Sequence, residues 1–440
     1  MTQSSGSGGR AVVIGLDGTP YSFLKKEVSA GNLPHLARLF SAGNLGRMET
    51  EIPTISSVAW ASFMTGKNPG DHGIFGFTDR WPGTWQLYFP NYQHLKCEAV
   101  WETLSRQGKR CCVINVPSTY PARELNGVLV SGFVAPTLEK AVYPASTFEY
   151  LNRIGYRVDV DAARGRESLD ALLEDLFLTL EKRRQAILKL WDQEPWDLFV
   201  AVITETDRLH HFMWRYYEEQ DPVYSSEFLS FYRAVDEFAG ELAEMVPDES
   251  ALFMLSDHGS CTIEKEVYIN AFLKEKGYLA LKGESPMTIA DLDPQKTRAY
   301  CMDPGRIYLN LEGREPGGII GPEDGAGLRE EIIKDMQDLM DPDSGEPVVG
   351  RIIGRDEIYA GPEVGRGPDF IAHPRPGYDF KGAIARQEIF WKGHLNGMHT
   401  QDDAFVFVKT PWEAHAPGHI RDIATLIRKA FSGGRDNTVE

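Results

Sequence analysis

Short, mostly apolar runs recur along the whole chain, and most of them end at a polar or charged residue. They lie at 11–16, 111–116, 128–130, 198–203, 252–255 and 404–408. Runs of this length with at most one polar residue are typical of strands that are covered on both faces. The pattern therefore predicts a set of buried strands spread from one end of the chain to the other.

Helical spacing appears between these runs. Its clearest example covers 172–191, where Leu172, Leu176, Leu180, Ile187 and Trp191 recur on one face. The segments 33–40 and 56–64 also predict helices. Alternation of buried strands with helices predicts an α/β fold with a mostly parallel central sheet and helices on both faces. Functional sites in such sheets gather outside the carboxyl ends of the strands.

Composition and charge narrow the classes of function. The hydrophobic content of 42% predicts a protein with a packed core. The formal charge of -18 predicts that the protein repels nucleic-acid polymers and anionic membranes. No run of about 18 apolar residues predicts a membrane span, and the N-terminus has no apolar signal segment. Five cysteines without a metal-type pair indicate reduced thiols and a cytoplasmic location. The oligomeric state stays open.

The chain length of 440 residues fits one large catalytic domain with insertions. We expect flexible tails at 1–10 and 433–440 and a catalytic domain at 11–432. Segments at about 80–195 and 262–395 are predicted as cap insertions that shape a substrate pocket. Aromatic residues in the first cap are candidates for stacking on a base or sugar, although packing is their commoner role; they are Trp81, Trp85, Tyr88 and Phe89.

Carboxylates and histidines stand at or near the ends of three predicted strands. Asp17 follows the first strand, and the pair Asp257 and His258 follows another, before a glycine that permits a turn. Asp207 and His211 are spaced i, i+4 and share a face if a helix begins there. Taken singly, Asp17 is more typical of a turn than of a metal ligand. The aspartates of the two pairs are also typical of helix caps, and His211 is also typical of a surface histidine.

A sixth candidate, His399, stands in the segment NGMH near the end of the chain. Six oxygen and nitrogen donors suit two divalent metal ions. Zinc fits aspartate and histidine ligands best, and manganese or iron is the alternative.

Ser56 stands at the start of the predicted helix 56–64. There its hydroxyl would meet unpaired backbone N–H groups and the positive end of the helix dipole. A metal ion would activate this weak nucleophile. An ordinary helix-capping role is the alternative, and Ser57 and Thr54 are rival nucleophiles on these grounds.

Five segments occur in an order that resembles the alkaline phosphatase superfamily, most closely its type I phosphodiesterase/nucleotide pyrophosphatase branch. They are VIGLDG, IPTISSVAWASFMTGKNPGDHGI, TETDRLHH, SDHG and GMH. The resemblance implies an alkaline phosphatase-like fold. It also implies that Ser56 is the nucleophile and becomes transiently phosphorylated before water attacks. The metal ligands it implies fall into two triads, Asp17/Asp257/His258 and Asp207/His211/His399.

Two positions depart from the pattern of that branch. The nucleophile is Ser56 where threonine is usual, and Ala59 stands where an asparagine helps to hold the phosphate. The donor for the phosphate must then come from elsewhere, either a backbone N–H or Arg208. The sulfatase branch requires a cysteine or serine followed by proline and arginine at fixed spacing. The segment SSVAW lacks this pattern, which argues against sulfate esters as substrates. For His72, in the segment GDHGI, we expect a structural role.

The predicted function is metal-dependent hydrolysis of a small phosphate ester, with a diester favoured, through a phosphoserine. The same site would serve a phosphotransferase, a phosphomutase or a phosphomonoesterase. A third class is an inert module that binds metal or ligand. The complete ligand set argues against this third class, because degenerate enzymes commonly lose ligands.

Overall fold

The structure is a computed structural model that describes residues 9–433. The predicted tails therefore lie outside the described residues, apart from Gly9, Arg10 and Gly433. The strands of the described residues are β1 (Ala11–Leu16), β2 (Asn44–Met48), β3 (Asp79–Arg80), β4 (Leu87–Tyr88), β5 (Cys111–Val116), β6 (Gly127–Ser131), β7 (Val142–Tyr143), β8 (Leu198–Ile203), β9 (Ala251–Leu255), β10 (Gly259–Thr262), β11 (Lys265–Tyr268), β12 (Ala299–Met302), β13 (Arg306–Leu309), β14 (Val349–Gly354), β15 (Phe370–Pro374), β16 (Tyr378–Lys381), β17 (Phe390–Trp391), β18 (Gly397–Thr400) and β19 (Ala404–Lys409).

Helices connect most of these strands. They are α1 (Tyr21–Ser29), α2 (Pro34–Phe40), α3 (Ser56–Thr65), α4 (Pro69–His72), α5 (Val100–Arg106), α6 (Ala145–Ile154), α7 (Arg164–Glu167), α8 (Leu169–Gln193), α9 (Glu205–Glu218), α10 (Tyr224–Met245), α11 (Ile269–Glu275), α12 (Gly325–Gln337), α13 (Arg355–Ile358) and α14 (Asp422–Phe431). The long helix predicted over 172–191 falls inside α8.

An eight-stranded sheet forms the centre of the molecule, in the order β2-β19-β9-β1-β8-β5-β6-β7. The five strands from β9 to β6 run parallel, whereas β19, β2 and β7 pair antiparallel at the two edges. The predicted α/β fold with a mostly parallel sheet is confirmed. Because parallel strands end at one edge, the residues that follow β1, β8 and β9 meet there.

Alternate residues of the central strands pack against different helical layers. In β1, Val12 and Ile14 belong to a core with α8, α9 and α10, while Ala11 and Val13 face a core with α3, α5 and α14. This two-residue period explains why β1 is apolar throughout: both of its faces are buried.

The segment 262–395 contains a second body with its own core. Its four-stranded sheet has the order β12-β13-β15-β14, and α11 and α12 contribute to the core. The segment 80–195 is different, because it supplies β5, β6 and β7 to the central sheet as well as α8. The domain boundaries themselves stay a prediction.

Among the described residues, no helix is both long and apolar enough to cross a membrane. The five cysteines are free thiols, and three of them are buried in the two sheets. Burial raises the pKa of the Cys111 thiol to about 12, so this cysteine is not a reactive thiolate.

Candidate metal and nucleophile site

Two neighbouring strand ends bring together the first group of candidate ligands. Asp17 follows β1 directly, and Asp257 and His258 stand between β9 and β10. Since β1 and β9 are parallel neighbours, these side chains lie at the same edge of the sheet. The backbone N–H of Gly18 donates to Asp257 Oδ1 at 3.0 Å, which fixes that carboxylate beside Asp17.

The second group comes from a helix and a small sheet. Helix α9 begins at Glu205, so Asp207 and His211 share one face of it, as their spacing predicts. His399 lies on β18, which pairs antiparallel with β10, with His399 opposite Ser260. This pairing carries a residue from near the end of the chain to the edge where β9 ends.

The residues form two acid–histidine clusters, and in each cluster the ligand atoms lie within 4.8 Å of one another. We call them the Asp17 cluster (Asp17, Asp257, His258) and the Asp207 cluster (Asp207, His211, His399). In the first, His258 Nε2 lies 3.7 Å from Asp17 Oδ1 and 3.4 Å from Asp257 Oδ2.

The Asp207 cluster is equally compact. His211 Nε2 lies 3.4 Å from Asp207 Oδ2, and His399 Nε2 lies 3.3 Å from Asp207 Oδ1. The two Nε2 atoms are 3.2 Å apart. A separation of 4.0 Å between His258 Nε2 and Asp207 Oδ1 joins the two clusters.

All three histidines point the same ring nitrogen at the clusters. The Nδ1–H groups of His211, His258 and His399 donate to backbone carbonyls at 2.9, 3.0 and 3.1 Å, those of Gly397, Gly259 and Thr54 respectively. In the neutral imidazole, this arrangement leaves Nε2 as an acceptor. Three Nε2 lone pairs that converge on carboxylates form donor sets that could hold cations.

Electrostatics agree with cation binding at most of these groups. At His399 burial acts to lower the pKa, but the hydrogen bond and charge of Asp207 outweigh it and raise that pKa. Burial, with the charges of Asp257 and Asp207, raises the pKa of Asp17 well above its ordinary value. Burial lowers the pKa of His211 to about 4 and also lowers that of His258. Among the described residues, no hydrogen-bond donor satisfies the buried Asp207 Oδ1 or Asp257 Oδ2. Divalent cations would satisfy these oxygens and relieve the repulsion between the carboxylates.

Ser56 is the hydroxyl that reaches the clusters. It is the first residue of α3. Its Oγ lies 3.1 Å from His258 Nε2 and 3.4 Å from Asp17 Oδ1. By contrast, Ser57 Oγ is buried without a partner among the described residues, and Thr54 Oγ1 donates to the Glu51 carbonyl at 3.3 Å.

A cavity of about 420 Å³ opens in front of Ser56. Its lining includes Phe77, Phe133 and Arg208, together with residues 371–374 and 379–381 from the second body. Its charged lining consists of four aspartates, one arginine and one lysine, which are Asp17, Asp207, Asp303, Asp379, Arg208 and Lys381. With these carboxylates ionised, as cation binding requires, and the histidines neutral, this lining has an excess of two negative charges, so bound cations would favour the entry of an anion.

The aromatic residues that stood out in the sequence do not line this cavity; Trp81, Trp85, Tyr88 and Phe89 lie elsewhere. Trp81 instead stacks on Tyr88 with ring centroids 4.3 Å apart. The cavity uses Phe77 and Phe133, which stack on each other at 5.6 Å and 5°. No sequence motif marked either phenylalanine or Lys381.

Two other sequence expectations have structural answers. His72 is buried, its Nε2 lies 2.9 Å from Ser62 Oγ on α3, and it does not line the cavity. The sequence predicts that Gly259 permits a turn, whereas in the structure Gly259 begins β10. A Cβ there would lie 2.4 Å from Thr400 Oγ1. A glycine is therefore needed at this position because β18 lies too close to leave room for a side chain.

Residues 11–402 match the family model of type I phosphodiesterase / nucleotide pyrophosphatase. Phosphonoacetate hydrolase from Sinorhizobium meliloti 1021, in complex with phosphonoformate, has a similar structure, with a TM-score of 0.63 and 20% identity over 97% of this chain and 96% of that chain. An inactive form of murine ectonucleotide pyrophosphatase / phosphodiesterase 5, in complex with AMP, has a TM-score of 0.57 and 14% identity over 96% and 95%. At these identities the likeness concerns the fold. No curated protein matches the chain.

Proposed function

Because the chain belongs to the type I phosphodiesterase / nucleotide pyrophosphatase family, and is thus a phosphoester hydrolase, we propose that it works at a two-metal site through a phosphoserine on Ser56. The observation that carries the proposal is the position of Ser56 Oγ, 3.1 Å from His258 Nε2 and 3.4 Å from Asp17 Oδ1. No other hydroxyl that lines the cavity has comparable contacts with both an acid and a histidine of the clusters among the described residues.

The proposed ligands divide as the two clusters do. The Asp17 cluster would hold one metal ion and the Asp207 cluster the other. Zinc fits this donor set best, with manganese or iron as alternatives. Bound metals would supply Lewis acidity, which lowers the pKa of a coordinated hydroxyl and neutralises charge that develops on phosphate oxygens.

The protein's own groups then have distinct tasks. Ser56 Oγ attacks phosphorus, and the ester oxygen leaves on the opposite side. Water next attacks the phosphoserine and releases phosphate or a phosphomonoester. The first turn of α3 directs its unpaired N–H groups towards the Ser56 end of the helix, where they favour negative charge.

The shape of the cavity favours an ester with a sizeable organic part. Its volume of about 420 Å³ lies within the range of sites that enclose small organic ligands, roughly 300–1,000 Å³. Apolar side chains dominate the walls beyond Ser56, among them Phe133, Ile371 and Phe380. A phosphodiester would place one substituent against Phe133 and the other against the wall from the second body.

Replacement of the proposed nucleophile tests the reaction. We expect Ser56→Ala to lower turnover of bis-(nitrophenyl) phosphate on the order of 10³-fold or more. It should also remove the covalent adduct on Ser56, which with this substrate is the nitrophenyl ester of phosphoserine, that mass spectrometry detects after acid quenching. Ser57→Ala is the matched control, because its hydroxyl is adjacent in sequence but does not contact either cluster.

The outcome separates the candidate nucleophiles. If Ser56→Ala kept full turnover with its metal content intact, Ser56 would not be the nucleophile. Product analysis in heavy-oxygen water then separates hydrolysis from transfer, since only hydrolysis places the heavy oxygen in the released phosphate or phosphomonoester.

A further inference from the structure

Arg208 lines the cavity next to Asp207, and its guanidinium is held from behind. We propose that Asp159 is a positioning residue that fixes Arg208, so that one guanidinium nitrogen, Nη1, faces the substrate phosphate. This inference rests on the proposed function, because it assumes a phosphate bound beside Ser56. Asp159 lies outside every segment that carries the family resemblance.

The contact between the two side chains is bidentate. Arg208 Nε donates to Asp159 Oδ1 at 3.1 Å, and Nη2 donates to Asp159 Oδ2 at 2.6 Å. A guanidinium has five N–H donors in a rigid plane. The pair occupies the edge formed by Nε and Nη2 and leaves both hydrogens of Nη1 for another acceptor.

The free nitrogen is on the side of the proposed metal site. Arg208 Nη1 lies 3.8 Å from Asp207 Oδ2, which is too long for a hydrogen bond. An oxygen of a phosphate beside the Asp207 cluster would be the natural acceptor for Nη1. This donor replaces the one that is missing at Ala59, which is fully buried in α3.

An aromatic stack fixes the plane of the guanidinium. The central carbon of Arg208 lies 4.5 Å from the ring centroid of Phe133. Phe133 in turn stacks on Phe77, with centroids 5.6 Å apart. Bidentate pairing and stacking together restrict both the rotation and the tilt of the guanidinium.

Asp159 itself is anchored to α8 and to its own backbone. Its Oδ1 accepts from the Val160 N–H at 2.8 Å. The preceding carbonyl, that of Val158, accepts from Arg183 Nη2 at 2.9 Å, and Arg183 is fully buried against Glu205. Two residues further on, the Asp161 N–H donates to Asp175 on α8 at 2.8 Å. The carboxylate is therefore presented from a fixed segment.

The charge of Asp159 has a second consequence. Without it, the nearest carboxylate to Arg208 would be that of Asp207, a proposed metal ligand. The guanidinium would then turn towards Asp207 and compete with the metal for its oxygens. Asp159 thus keeps the Arg208 guanidinium within reach of the substrate phosphate and away from the Asp207 carboxylate.

A double-mutant cycle on the metal-loaded, full-length protein tests this role. The variants are Asp159→Asn, Arg208→Met and their combination, with Asp161→Asn as the matched control. The exposed Asp161 carboxylate caps the Ala163 N–H at 3.0 Å. The measurements are kcat and KM for bis-(nitrophenyl) phosphate, inhibition by inorganic phosphate, metal content and Tm.

We expect Arg208→Met to lower kcat/KM by about 10²-fold, as loss of one donor to a developing oxyanion does. Asp159→Asn should lower it by about 10-fold and weaken inhibition by phosphate, because the donor is present but misplaced. In the Arg208→Met background, Asp159→Asn should change kcat/KM by less than about twofold. Asp161→Asn should keep the parent values.

Equal losses from Asp159→Asn in both backgrounds would overturn the inference, since Asp159 would then act without Arg208. Full activity of Arg208→Met would also overturn it. If Asp159→Asn does not fold, Asp159→Glu in both backgrounds gives the same comparison, because it keeps the charge but shifts the carboxylate. The two ideas fail in different ways. If the proposed function is wrong, no covalent phosphoryl adduct forms on Ser56 in the parent protein. If only this inference is wrong, the adduct still forms.

Discussion

The imidazole rings of His258 and His399 stack with their centroids 3.6 Å apart and their planes 21° from parallel. The two residues belong to different clusters, His258 to the Asp17 cluster and His399 to the Asp207 cluster. Their contact therefore sets the clusters side by side. Cations held in both would be near enough to act on one phosphate, which is the arrangement that two-metal phosphoryl transfer requires.

Metal removal is the first prediction. A chelator should abolish phosphodiesterase activity and lower Tm by several degrees, because bound cations stabilise the folded state. Zinc should restore both, at about two ions per chain on elemental analysis. Since the pKa of Asp17 is raised, its proton must leave before a cation binds. Apparent metal affinity should therefore weaken as pH falls. A metal-free protein with full activity would contradict the two-metal site.

Trp60 supports the Asp17 carboxylate, which gives the second prediction. Its indole Nε1–H donates to Asp17 Oδ2 at 3.0 Å, and the ring is fully buried. Trp60→Phe keeps most of the packing but removes the donor. We expect metal affinity at one site to fall by about 10-fold, the lower end for partners that orient metal ligands.

Trp101→Phe is the control for this experiment. Trp101 is equally buried, and its Nε1–H donates to the Tyr92 hydroxyl at 2.9 Å, away from the clusters. It should lower Tm comparably without a change in metal affinity. A similar loss of affinity in both variants would show that general loosening, rather than the Asp17 contact, is responsible.

Local patterns in the sequence explain why part of the site was predictable. Strand ends next to each other in a parallel sheet bring together Asp17 and Asp257, and helical spacing brings together Asp207 and His211. His399 required the family resemblance, because its position depends on pairing of β18 with β10. Such a pairing joins segments far apart in the chain, and no local pattern encodes it.

The cavity walls were not predictable for a related reason. Phe133 and Asp159 lie in irregular segments after β6 and α6, where neither helical nor strand periodicity applies. The expectation that Trp81 and its neighbours contact substrate relied on residue type alone. Residue type does not distinguish a ring that faces a cavity from one that packs against another ring.

Glu51 provides a pH-dependent prediction. It is buried five residues before Ser56, and burial raises the pKa of its carboxyl to about 7, although Arg421 lies 2.9 Å away. The ordinary value is 4.5, so between these pH values the folded protein holds a proton that the unfolded chain releases. Stability is thus lost as pH rises from 4.5 to 7, by up to about 3 kcal/mol.

Glu51→Gln should remove this dependence. Its Tm should match that of the parent near pH 4.5, exceed it increasingly towards pH 7, and stay higher above that pH. Thermal unfolding across this range is the measurement. Glu49→Gln serves as the control, because the Glu49 side chain is exposed and the variant loses the same charge. An equal shift in both variants would assign the effect to net charge.

The last prediction concerns the space between β1 and α3. A Cβ on Gly15 would lie 2.6 Å from the Trp60 ring and 3.0 Å from a methyl of Val202. Gly15→Ala should therefore destabilise the protein by about 1–3 kcal/mol, as overpacking of a core does. Because displacement of Trp60 disturbs its contact with Asp17, metal affinity should fall as well.

In contrast, a Cβ on Gly327 in α12 meets nothing within 4 Å, so Gly327→Ala should stabilise its helix by about 0.5–1 kcal/mol. Thermal unfolding of both variants, with metal titration of each, checks the pair. Equal Tm values for the two would contradict the tight contact between β1 and the helix that carries Ser56.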